Sequence, residues 1–239
     1  MIDIHSHILP GVDDGARTLT ESVEIVRVLT EMGVTDIVAT PHFIAESNYE
    51  SSRYDNMRKL MELKKALETE AINVKIYLGN EIYIDRRIKD LLKAGKIATL
   101  AESKYLLVEI PLNEEYANYE DILMDLMNCG YKVVLAHPER YAIIEKDFEI
   151  ARELYRNGVL FQCNLYSILG KYGRNAKKAI RKLAKEKLIF TFGSDIHHPG
   201  DVEKMKKQHS LAIKKYLKYY NEAELKKLLV GNPAKIIGG

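Results

Sequence analysis

Seven short β-rich runs alternate with helical stretches along almost the whole of this 239-residue chain, and that alternation limits the folds open to it. The runs cover 2–5, 36–40, 74–78, 105–110, 132–136, 159–164 and 188–193. Helical periodicity fills the intervals 20–32, 53–71, 85–94, 119–129, 146–157, 175–187 and 202–219, and Asn221 is placed to cap a last helix over 222–230. In the first interval Val23, Val26 and Leu29 share one face and Gly33 ends the helix. Strands alternating with helices predict a parallel sheet. Seven of them favour a closed or nearly closed barrel, one domain over 1–239. An open doubly wound sheet is the alternative, but no GxGxxG or GxxxxGK[ST] loop supports a nucleotide-binding version.

A barrel gathers its C-terminal strand ends at one rim, where barrel enzymes build their sites. In order, those ends carry His5 and His7 (DIHSH), His42 (ATPH), Glu81 (GNE), Glu109 (LLVEI), His137 (LAHPER), Asn164, and Asp195 with His197 (GSDIHH). Asp14 in GVDDG follows the first. With His198, six of the seven histidines fall in these clusters. One histidine at such a place is more often a packing residue than a ligand; recurrence at successive strand ends is the signal. His5 and His7 are two apart and share a face of a regular strand, so one metal can take both. Glu81 and Glu109 end or interrupt apolar runs, where an uncompensated carboxylate is costly and a cation is the simplest remedy. A mixed set of imidazoles and carboxylates without cysteine suits Mn, Fe or Zn in hydrolysis better than a closed structural zinc.

Other classes are disfavoured. A net charge of +2 gives no argument for nucleic acid, and no apolar run is long enough to span a bilayer. The first residues read into a strand, not a signal peptide, so a cytoplasmic address is expected. Cys129 and Cys163 lie in apolar segments and are expected as buried, reduced thiols. Cysteine phosphatases need an arginine six residues after the nucleophile. Here those positions are Leu135 and Leu169, so phosphatase chemistry would need metal.

MIDIHSHILPGVDDG, ATPH, GNEIY, LAHPERY, GSDIHH and the terminal NPAKIIGG together resemble the motifs of the PHP (polymerase and histidinol phosphatase) superfamily. The combination is most similar to the manganese-dependent tyrosine-protein phosphatases of bacterial capsule and exopolysaccharide clusters. That resemblance implies a distorted, TIM-like (β/α)7 barrel with three metals. His5, His7, Glu81 and Asp195 would hold the first; Glu81, Glu109 and His137 the second; Asp14, His42 and His197 the third. A metal-activated hydroxide would attack phosphorus, with Arg140 and Asp14 as the residues nearest the chemistry. Arg140 is the expected phosphate clamp, because a guanidinium matches phosphate oxygens bidentately. A structural ion pair with Glu139 is the alternative.

The resemblance also implies a second arginine shortly after GSD, which is missing from HHPGDVEKMKK; Lys204, Lys206 or Lys207 would have to substitute. Asp13 and His198 are candidate proton donors better suited to supporting roles. Asn164 reads equally as a site hydrogen-bond donor or a turn cap. Tyr49 and Tyr54 read as loop tyrosines that could line the rim, and Tyr216, Tyr219 and Tyr220 as packing residues. The late basic runs, 171–187 and 204–218, read as solvated helix faces, with steering of an acidic tail as the alternative. The implied substrate is the phosphotyrosine tail of a bacterial tyrosine kinase. A small-molecule phosphatase for histidinol phosphate and a non-catalytic metal-stabilised scaffold are the competing readings. A homo-oligomer is compatible with the sequence.

Overall fold

All seven β-rich runs form parallel strands, and the second and third are each followed, after a break, by a further short strand that was not expected. β1 is Ile2–Ser6; the second run gives β2 (Asp36–Ala39), with β3 (His42–Phe43) beyond it, and the third gives β4 (Lys75–Leu78), with β5 (Glu81–Tyr83) beyond it. β6 (Tyr105–Glu109), β7 (Lys132–Ala136), β8 (Leu160–Asn164) and β9 (Thr191–Gly193) follow. The computed structural model describes residues 1–113 and 117–238, so Gly239 of the NPAKIIGG ending lies outside it.

The strands pair as β1-β2-β4 and β3-β5-β6-β7-β8-β9. Since β2 runs on into β3 and β4 into β5, the two sheets are consecutive parts of one curled wall. Its ends meet where the His7 N–H donates to Ile196 O at 2.9 Å and the Asp195 N–H to His5 O at 3.0 Å, around an isolated Ser6–Ile196 bridge. The result is a distorted seven-stranded barrel, not an open doubly wound sheet.

The two breaks have local causes. Pro41 has no N–H to continue a ladder. Buried Asn80 then ties the breaks together: its amide donates to Pro41 O at 3.1 Å and its side-chain oxygen accepts from the Ala98 N–H at 2.8 Å. This sets His42 opposite Glu81 in the β3–β5 pairing. A register irregularity between Asp3 and Ser6 falls on the segment that carries His5, and bulges of this kind re-aim side chains beside active sites.

Alternation along the strands separates two apolar clusters. Ile2, Ile4, Leu107, Val134 and Ala136 pack together with Ile236 as a plug. Leu106, Val108, Val133 and Leu135 pack into the larger cluster shared with the helices. Strands buried on both faces read as near-continuous apolar runs, which is why the sequence signal is strong.

The helices are α1 (Leu19–Glu31), α2 (Arg53–Thr69), α3 (Ile88–Lys93), α4 (Tyr119–Asn128), α5 (Ala142–Lys146), α6 (Glu149–Arg156), α7 (Gly173–Lys185), α8 (Pro199–Tyr216), α9 (Glu222–Lys226) and α10 (Asn232–Ile237). Thr18 and Ser52 cap α1 and α2, and Asn221 forms a reciprocal capping box with Glu224 at α9. Two helical expectations need correction. The 146–157 helix shortens to α6 and is preceded, across Asp147–Phe148, by the unexpected α5, and the 222–230 helix stops at Lys226, passing through a π-helical turn into α10. Cys163 is buried on β8, but Cys129 is exposed at the C-terminal cap of α4, contrary to the expected buried thiol. Tyr216 and Tyr220 are buried. Among the described residues no helix is long and apolar enough to cross a membrane.

Candidate active site

The carboxylate of Glu81, fully buried at the start of β5, is the hub of the rim. Its Oε2 lies 3.0 Å from His5 Nε2, 3.2 Å from His7 Nε2 and 3.2 Å from His42 Nδ1, while Oε1 lies 2.9 Å from His137 Nε2. One carboxylate thus faces four imidazoles drawn from the ends of three strands, β1, β3 and β7.

Neighbouring side chains fix the tautomers of the first two histidines. Gln162 Oε1 can only accept, so His5 Nδ1 donates to it at 2.7 Å; His7 Nδ1 donates to Asp13 Oδ2 at the same distance. Both Nε2 atoms therefore turn their lone pairs inward, 3.2 Å from one another and toward Glu81 Oε2. Converging lone pairs repel unless a proton or a cation sits among them. In the metal-free protein, protons fill that role. Burial works against the charged imidazole of His5, yet Glu81 and Asp195 raise its pKa to about 9; His7 is likewise raised, by Asp13 and Glu81 over the same opposing burial. Asp13 is held down to about 2 against its own burial by His7 and by N–H groups of His42 and Gly15. Asp13 is thus a support for His7. The loop behind it is tight: a Cβ on Gly15 would lie 2.2 Å from His7 O.

The remaining expected ligands join the same rim. Asp14 Oδ1 lies 3.6 Å from both His42 Nε2 and His197 Nε2, and the His197 ring stacks on that of His7 at 4.0 Å. Glu109 lies 3.5 Å from His137 Nε2 and 4.0 Å from His42 Nδ1. Asp195 Oδ1 lies 3.5 Å from His5 Nε2 and 3.7 Å from His7 Nε2. Among the described residues, three sets of donor atoms are close enough to hold a metal ion: His5, His7 and Glu81; His42, Glu81 and Glu109; and His7, Asp14, His42 and His197. His42 and His7 therefore each reach two sets, a sharing that the motif assignment does not include.

The donor set fits divalent cations. Glu81 Oε2 and His42 Nδ1 are buried without a hydrogen-bond partner among the described residues, and every donor is nitrogen or oxygen. Burial, reinforced by Glu81, pushes Glu109 up to about 8, and burial with the charge of His7 pushes His197 down to about 4. Asp195 is pulled well below the usual carboxylate range, because His5, His137 and His197 outweigh its burial. His137 and Asp195 also adopt left-handed backbone angles, with φ of 33° and 51°. Such strain in non-glycine residues persists only where surrounding contacts impose it, and it clusters at functional sites.

β8 supports two of the expected ligands, His5 through Gln162 and Asp195 through Asn164. Gln162 and Asn164, two apart on one face, form a chain: Gln162 Nε2 donates to Asn164 Oδ1 at 3.0 Å, and Asn164 Nδ2 to Asp195 Oδ2 at 2.6 Å. The Asn164 side chain therefore joins the rim through Asp195 and does not cap the turn. Gln162→Leu should weaken metal binding about 10–100-fold, as removal of an outer partner of a metal-ligating histidine typically does. A metal titration checks this; unchanged affinity would mean that His5 needs no such orientation.

Arg140 NH1 donates to Asp195 Oδ2 at 2.9 Å, with its side chain 24% exposed. The alternative pairing with Glu139 does not occur. Glu139 turns inward, where its Oε1 accepts from the Asn164 N–H at 2.8 Å and from Ser167 Oγ at 2.7 Å. Of the substitute lysines, Lys204 faces Asp201, Lys206 pairs with Glu31, and Lys207 is exposed on α8. Tyr49 stacks on His42 at 5.8 Å, whereas Tyr54 is 79% exposed. His198 is exposed at the start of α8.

The family model described as capsular polysaccharide synthesis, CpsB/CapC, matches residues 1–238. CapC from Staphylococcus aureus is 35% identical over 94% of this chain and 87% of its own length. CpsB from Streptococcus pneumoniae, a tyrosine-protein phosphatase, is 30% identical over 99% of this chain and 98% of its own. A crystal structure from the pair YwqE of Bacillus subtilis and CpsB of Streptococcus pneumoniae, described as unique metal-dependent tyrosine phosphatases, matches with a TM-score of 0.88 at 30% identity. The match covers 100% of this chain and 94% of the other.

Proposed function

The chain belongs to the CpsB/CapC family of capsular polysaccharide synthesis, and from that premise we propose that its rim hydrolyses phosphotyrosine in protein substrates with the aid of divalent metal. The observation that carries this is the convergence of His5, His7, His42 and His137 on the single buried carboxylate of Glu81. In this reading His5, His7, Glu81 and Asp195 hold one cation, Glu81, Glu109 and His137 a second, and Asp14, His42 and His197 a third. Manganese is the metal proposed. Bound cations supply Lewis acidity, lowering the pKa of water and neutralising charge on the phosphoryl group.

The protein's own groups do the rest. Gln162, Asp13 and Asn164 hold the ligands in their tautomers and orientations. Arg140, half withdrawn beside Asp195, offers its remaining N–H groups to phosphoryl oxygens. Tyr49 provides an aromatic face at the mouth for the substrate ring. A phenolate leaves readily, its conjugate acid having a pKa of about 10, so a dedicated proton donor is not required. The proposed substrate is the phosphotyrosine tail of a tyrosine kinase in polysaccharide assembly.

The test is metal removal, add-back of Mn, Fe or Zn singly, and parallel assay of a phosphotyrosyl peptide and histidinol phosphate. Preferential hydrolysis of the peptide with Mn is expected. Clear preference for histidinol phosphate, or no hydrolysis of any phosphomonoester by the loaded protein, would overturn the reading.

Metal binding should also strengthen as pH rises. His5 has a pKa of about 9 in the metal-free protein, above its unfolded value near 6.5. Its proton therefore stabilises the metal-free fold fully below about 6.5 and ceases to do so as pH passes about 9. Glu109, raised to about 8, is a destabilising group once ionised, and that penalty grows from its ordinary range up to about 8. Both effects weaken the metal-free fold as pH rises, and both favour cation binding, which needs neutral imidazole and ionised carboxylate. The gap in Tm between metal-loaded and metal-free protein should therefore widen from pH 6.5 to 9. A gap that narrows would contradict this linkage.

A further inference from the structure

Between β8 and α7 the chain makes a tight turn in which the Gly173 N–H donates to Gly170 O at 3.1 Å, with Lys171 and Tyr172 at the two central positions. Gly170 has a φ of 99°, a conformation that favours glycine, and this fixes where the turn projects. The Tyr172 hydroxyl donates to Asp195 Oδ2 at 3.2 Å. Its ring touches two cations: the Arg140 guanidinium carbon lies 4.6 Å from the ring centroid and Lys171 Nζ lies 5.1 Å from it.

Exposure increases in order along this series. Asp195 is buried, Arg140 is 24% exposed, and Lys171 is exposed. Arg140 is engaged with Asp195, whereas among the described residues no carboxylate lies within ion-pair distance of Lys171. Exposed Arg174 and Lys178 extend the positive charge outward along the start of α7. A phosphotyrosine held at the metal rim would meet Arg140 first. The residues flanking it in the peptide would lie farther out, level with Lys171.

We propose that Lys171 is a specificity-determining residue that pairs with a carboxylate flanking the phosphotyrosine of an acidic peptide, with Tyr172 aligning it beside Arg140. This rests on the phosphotyrosine-phosphatase reading above. It assigns to a position outside the ligand motifs a choice among substrates that the ligands themselves cannot make.

The experiment compares two non-hydrolysable phosphonate peptides, one flanked by glutamates and one by alanines, binding to the manganese-loaded protein. The wild type should prefer the acidic peptide, and Lys171→Gln should reduce that preference about three- to fivefold, the range of an exposed ion pair. Lys171→Arg should restore it, and salt should erase it in the wild type. An acidic-to-neutral Kd ratio unchanged in Lys171→Gln would overturn the proposal, as would equal weakening for both peptides. Turnover of the matching phosphotyrosyl peptides separates the two claims. A salt-sensitive ratio that depends on Lys171 in a protein without turnover supports the docking role while refuting hydrolysis. Turnover with no dependence on Lys171 does the reverse.

Discussion

Glu81→Gln should abolish stable metal loading and lower turnover by more than the ~10–100-fold that outer-shell substitutions cause. The substitution conserves shape, so the effect isolates charge. Glu81 Oε2 faces three imidazole nitrogens within 3.2 Å, and Oε1 a fourth at 2.9 Å. A neutral amide would still fit but would place an N–H₂ or a weaker acceptor against them. In the metal-free protein the same change removes the partner of the protonated His5 and His7. Breaking a buried ionic cluster from one side costs about 3–5 kcal/mol. Denaturant unfolding of the metal-free protein and metal analysis of the loaded one should therefore both respond. Full metal stoichiometry in Glu81→Gln would remove the bridging role.

Arg140→Ala should lower kcat about 10²–10³-fold, the scale for loss of one well-placed donor to a developing oxyanion, while metal content stays at the wild-type level. Arg140→Lys should recover only part of the loss, since an ammonium keeps the charge but not the planar fork. The distinction matters because Arg140 also touches Asp195 at 2.9 Å. If the guanidinium served only to hold that carboxylate, the lysine variant would restore turnover fully and the alanine variant would lose metal. Either result would remove the phosphate clamp.

The rim residues could be read from the sequence because parallel strands concentrate chemistry at one end. An apolar run that stops at His or Glu announces both a strand and a site. The supporting residues carry no such mark. Gln162 sits in an apolar run as an ordinary polar interruption, and only its spacing of two from Asn164 hints at a shared face. The breaks at Pro41 and Asn80 were equally hidden. They depend on a contact between the second and third strands, which no single segment reveals. Arg140 was visible, but its partner was not, because a side chain beside Glu139 in sequence finds Asp195 across 55 residues. Cys129 illustrates the opposite error: apolar neighbours suggested burial, while the position at the end of α4 turns it outward.

The place where the barrel closes has a consequence for when the site comes into being. His5 and His7 arrive on and just after β1, Asp195 and His197 just beyond β9, and they face each other across the seam marked by the Ser6–Ile196 bridge. Contacts this distant along the chain are the slow ones to form, because the loop between them must be ordered first. A chain arrested before the seam closes can hold most of its strands in register and still lack a complete first ligand set. The proposed site is thus complete only once the wall is shut.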